Sequence, residues 1–186
     1  MRKSGAMELS IGTIVIIVLA MSMLILGLVL IKNIFGGATD ITDMTLDQLR
    51  NQVSGMFGSN KELVMYPDTL HIDVKGGELS GFGFGVKNIL EGAQAGTEFR
   101  YEVIVADNFI EDKCGVTEEE AVDWINLGGT GGSGDLSIAS GKFEAVKVTF
   151  EVPDGAKLCT FRYKVKVYDD NDQIYDEDIM DVTIRA

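Results

Sequence analysis

The side chains best placed to do chemistry in this sequence are a crowd of carboxylates, two cysteines and a single histidine. The carboxylates gather most densely in "YDDNDQIYDED", residues 168–178. Calcium takes about six to eight oxygen ligands, so clustered acids are a reasonable start, and Asp169, Asp170 and Asp172 would be its ligands. The spacing departs from the helix–loop–helix calcium motif, however, and no glycine occupies that motif's sharp turn. The run reads first as a solvated hairpin loop whose charges deter edge-to-edge pairing. Cys114 and Cys159 make an even pair, which in an oxidising compartment suggests one disulfide. Closing that loop would stabilise the fold by about 3–4 kcal/mol; the alternative is two buried free thiols. A structural zinc site needs about four ligands, more than these cysteines and His71 supply. His71 lies on the polar phase of a strand and has no evident acid–base partner.

Other catalytic signatures do not assemble. "GGTGGSG" (128–134) lacks the lysine and the strand–loop–helix setting of a phosphate-binding loop, so it reads as a linker loop. There is no G-x-S-x-G elbow and no H-E-x-x-H motif, and nothing marks a particular glycosidase-type acid pair. The expectation is a protein that is not an enzyme and needs no cofactor.

The elements that would carry these residues are strands. Leu70, Ile72 and Val74 alternate with polar residues, as do Phe99, Tyr101, Val103 and Val105. Val146, Val148, Phe150 and Val152 do the same, and Phe82, Phe84 and Val86 alternate with glycines. The clearest case is "CTFRYKVKVYD", with Phe161, Tyr163, Val165 and Val167 on one face and Arg162, Lys164 and Lys166 on the other. This period of two, repeated over about seven or eight short strands, predicts two antiparallel sheets packed as an immunoglobulin-like β-sandwich over 61–186. An insertion at 112–135 interrupts it, opening on a Thr117/Glu120 capping box, followed by a short helix with Trp124 beneath it in the core and then a flexible glycine loop.

Upstream the pattern changes. Residues 11–31 form an uncharged apolar run of 21. At about 1.5 Å per residue a helix of this length spans roughly 30 Å, the hydrocarbon thickness of a bilayer. It is too long for a cleaved signal's apolar core, and Lys32 and Asn33 follow it in place of a cleavage site. Arg2 and Lys3, in a leader of residues 1–10, place the N-terminus in the cytoplasm and the remainder outside. Residues 32–60 would hold a break at Gly36-Gly37 and an amphipathic helix capped by Asp40 or Thr42. Leu46, Leu49, Val53 and Met56 would share one face, seated on the chain's own β domain or, in the sharper reading, on another subunit. From Asp40 to Ala186 the chain carries 13 Lys+Arg against 28 Asp+Glu, net −15. Such a surface repels phosphates and excludes a nucleic-acid partner.

The basic leader, the small residues Ser4-Gly5-Ala6, Glu8 and the apolar helix from Ile11 together resemble the N-terminal segment of archaeal type IV pilin-like proteins. The resemblance implies peptidase cleavage after Gly5 or Ala6 and a subunit-aligning role for Glu8. The apolar helix would then self-associate as a filament core or stay in membrane lipid as an anchor. "GFGFGVKN" and "VPDGAKLCTFRYKVKVYD" are similar to immunoglobulin-like domains of microbial surface proteins. That similarity implies a structural role or a binding module for a surface ligand it does not identify.

Overall fold

The structure, a computed structural model, describes residues 11–35, 41–58, 61–90, 97–128 and 132–186. The chain divides into two units, Met1–Gly37 and Ala38–Ala186. The first contains α1 (Ile11–Phe35), a helix apolar on all sides.

The second unit is a mainly β, immunoglobulin-like sandwich. One sheet runs β1 (Leu63–Tyr66), β3 (Leu79–Lys87), β7 (Phe143–Glu151), β5 (Ile125–Leu127) in spatial order. The other runs β2 (His71–Lys75), β9 (Ile174–Arg185), β8 (Thr160–Tyr168), β4 (Thr97–Val105), β6 (Ser133–Ile138). Alternating sequences fold this way because each strand has one apolar face to bury, and two such faces bury each other. Phe82, Phe84, Val148 and Phe150 of the first sheet meet Phe99, Phe161, Tyr163 and Val182 of the second. The aromatic rings interlock, with Phe150–Tyr163 centroids at 5.3 Å and Phe84–Tyr101 at 5.1 Å.

Three features differ from the sequence expectation. First, the sandwich is not wholly antiparallel: β2 runs parallel to β9, pairing Ile72 with Val182 and Val74 with Ile184. The chain passes from the first sheet to the second between β1 and β2, where the Tyr66–Pro67 peptide is cis. Second, the segment expected to be an insertion supplies β5 and the first half of β6, which form an edge strand for each sheet; the rest of β6 falls in "LSIAS", which alternation already marks as a strand. Gly134, expected in a flexible loop, sits in β6 opposite Tyr101 because a side chain there would strike the tyrosine ring. Third, α2 (Leu46–Met56) is capped by Thr45, not Asp40 or Thr42. Thr45 and Gln48 form a reciprocal capping box, glutamine taking the usual glutamate's place. Asp40 and Gly36-Gly37 lie outside the described residues.

Helix α2 is seated on the first sheet, the outcome expected for a helix lying on its own domain. The alternating glycines of β3 make the seat. A β-carbon at Gly83 would lie 2.5 Å from Leu49 Cδ1, and one at Gly85 would lie 3.1 Å from Val53 Cγ2. Leu49 and Val53 are fully buried there with Ile41, Val64 and Ala145, in a small core outside the main one. The Lys147 ammonium holds the approach to the helix, donating to the Thr42 and Met44 carbonyls at 2.6 and 2.9 Å. Arg50 pairs with Glu144 alongside.

Candidate functional site

The residues expected to matter fall in different places. Gly5, Ala6 and Glu8 lie outside the described residues. Cys114, at the end of α3 (Ile110–Cys114), is bonded to Cys159 just before β8, with Cα atoms 5.4 Å apart. Gly115 closes α3 in the left-handed region at φ 75°, its N–H bonded to the Glu111 carbonyl, and the chain then enters α4 (Glu118–Asp123) through the expected Thr117/Glu120 box. Trp124 follows, half-buried, its ring edge-on to Phe161 at 5.8 Å. Above it the Tyr163 hydroxyl donates to the Ala121 carbonyl at 2.6 Å, and burial pushes the Tyr163 phenol far above its ordinary pKa.

The three aspartates weighed for calcium do not converge. Asp169 Oδ1 accepts the Asn171 and Gln173 amides and so shapes its own turn. Asp170 accepts from the Asn171 side chain, while Asp172 turns away to Arg100 at 3.1 Å. Arg100 also pairs with Glu102 and covers the Tyr168 ring, 4.4 Å from its centroid. Among the described residues no group of three metal-binding side chains comes together. His71 is half-buried and faces Asp73 at 3.2 Å, while Arg185 holds the same carboxylate.

Sequence reasoning missed one concave site. A cavity of about 510 Å³ opens where the end of β4, α3 and the start of β8 meet. Its lining includes Asp107, Lys113, Leu158, Cys159, Phe161 and Arg162. Lys113 Nζ bonds both Asp107 oxygens, at 2.8 and 3.1 Å, and holds that carboxyl below the usual carboxylate range. Arg162 Nε donates to Asp181 at 2.7 Å, a bond that raises the guanidinium's pKa. The only sequence signal was the cationic outward phase of β8, which looks the same as a solvated strand face. What completes it is Lys113, held by the α3 turn and by Asp107, next to the Cys114–Cys159 bond.

No family model matches the chain, and no curated protein matches it. Among solved structures it is similar to a CARDB domain of Pyrococcus furiosus at 12% identity, covering 66% of this chain and 87% of that one, with a TM-score of 0.38. It is also similar to a PapD-like domain of human CEP192 at 10% identity, covering 67% and 84%, with a TM-score of 0.39.

Proposed function

We propose that this protein is a membrane-anchored archaeal cell-surface structural protein, a type IV pilin-like filament or pseudopilin-type subunit without enzymatic activity. One observation carries the reading: a helix apolar on all sides is joined to an acidic, disulfide-bonded sandwich with its own core. Gly12–Val29 of that helix has a mean hydropathy of 2.7, and none of it is buried. Such a helix is stable only in lipid or among similar helices. The disulfide fits an oxidising exterior. In this reading Arg2 and Lys3 stay cytoplasmic, a peptidase cuts after Gly5 or Ala6, and Glu8 aligns neighbouring helices. The sandwiches would form the outer shell.

The second reading, a monomeric anchored binding module, is favoured by the cavity beside the disulfide. Electron microscopy of sheared cell-surface material, with mass spectrometry of the N-terminus, separates the two. Filaments whose subunits begin at Ala6 or Met7 are expected. An intact Met1 and no filaments would leave the binding module.

A further inference from the structure

We propose that the cavity at the α3–β8 corner binds a carboxylate attached to an apolar group, the chemistry of a peptide's C-terminal leucine-like residue. The inference holds for a filament subunit and for a monomeric module alike. Three observations carry it.

The first is a guanidinium with its fork free. Arg162 lines the cavity and uses only Nε, on Asp181, among the described residues. Its terminal nitrogens keep donors that match the two oxygens of a carboxylate. The second is the local charge balance. Asp107 and Asp181 are already paired with Lys113 and Arg162, so an incoming anion meets no uncompensated carboxylate in the cavity wall. The more distant acids of this chain are screened beyond about 8 Å at physiological salt. The third is an apolar lip. Leu158 lines the cavity at 59% exposure. Phe109, whose amide is bonded to the cavity's Asp107 Oδ1, is 62% exposed. Large apolar side chains left this open at the rim of a charged concavity are what an amphipathic ligand covers. The volume lies within the roughly 300–1,000 Å³ of small-ligand sites.

Trp124 is the chain's single tryptophan and packs on the buried ring of Phe161, next in sequence to Arg162, so its fluorescence is a secondary readout beside isothermal titration. The full chain in detergent micelles would be titrated with N-acetyl-leucine, with N-acetyl-leucinamide as the uncharged control. Tryptophan fluorescence and isothermal titration are the readouts. The acid should saturate with a Kd on the order of 1 mM, the scale that ligand efficiency sets for a molecule this small. The amide should bind about tenfold more weakly or worse. Arg162→Gln should weaken the acid by about tenfold, and Arg162→Lys, which keeps the charge and loses the fork, should fall between. Equal binding of acid and amide would overturn the proposal. So would an undiminished response in a folded Arg162→Gln chain, or no saturable signal by either readout. If Arg162→Gln does not fold, the acid–amide comparison on the unaltered chain decides.

Discussion

The glycine seat under α2 predicts a non-additive pair of mutations. Gly83→Ala would place a methyl 2.5 and 2.8 Å from the two terminal carbons of Leu49, where unstrained carbons keep about 3.5–4.0 Å. Leu49 is fully buried in the small outer core and must shift by about 1 Å. Overpacking of this kind costs about 1–3 kcal/mol, offset by the roughly 0.5–1 kcal/mol that alanine gains over glycine within a strand. Leu49→Ala alone empties the seat and should cost about 2–5 kcal/mol. In the double mutant the new methyl enters space that the leucine has left, so the two costs should fall short of their sum by about 1 kcal/mol or more. The small outer core lies outside the main one, so the assay must be local: hydrogen exchange of the α2 amides, with β8 amides as the internal control. Additivity within about 0.5 kcal/mol would refute the idea that these two positions share one space.

Three further outcomes follow from the same structure. Replacing Cys114 and Cys159 together by alanine opens a link between residues 45 positions apart, and unfolding free energy should fall by about 4 kcal/mol in chemical denaturation. Burial lifts the Tyr101, Tyr163 and Tyr175 phenols, so the unfolded chain ionises first; their stabilisation is complete below the unfolded phenol pKa of about 10 and declines as pH rises past it. Phenolate absorbance of the folded chain at about pH 11 should therefore lie well below that of the denatured chain. Calcium at millimolar concentration should give no binding heat, because Asp169, Asp170 and Asp172 are turned to separate partners; heat that Asp169→Asn abolishes would contradict this.

The main core was legible because burial in a strand follows a period of two. Phe161, Tyr163, Val165 and Val167 all face inward as their alternation requires. The same rule failed on β3, whose glycine phase looked like an exposed face. That face is buried because a helix far upstream covers it, and no local pattern announces such a long-range pairing. Strand β5 and the first residues of β6 were hidden for a related reason, whereas from Leu136 on "LSIAS" already reads as a strand. Glycines at 128–134 signal a loop, yet a glycine is also the residue that fits where a tyrosine ring comes close to the strand, as Tyr101 does at Gly134. The cavity residues come from β4's end, α3 and β8, gathered by the β4–β8 pairing, the Lys113–Asp107 ion pair and the disulfide together. Counting cysteines suggested the bond; nothing in the spacing said which charges it would bring together.

Two helices of this chain carry opposite patterns, and the contrast bears on where each belongs. Helix α2 has one apolar stripe and finds one apolar seat, with Leu49 and Val53 buried and its polar residues in water. Helix α1 has no polar side that water would favour: the consecutive Val15, Ile16, Ile17 and Val18 step around the axis by about 100° each and are all at least 45% exposed. Its Ser22 hydroxyl turns back on the Val18 carbonyl at 2.8 Å, so even that polar group makes no demand on a surrounding solvent. A seat like the one on β3 would cover only one stripe of such a helix and leave the rest in water. Burying every side requires an environment that surrounds it, and lipid and a sheath of like helices are the two that do. The second unit, with its own buried core and a net charge of −15 from Asp40 on, is suited to water instead.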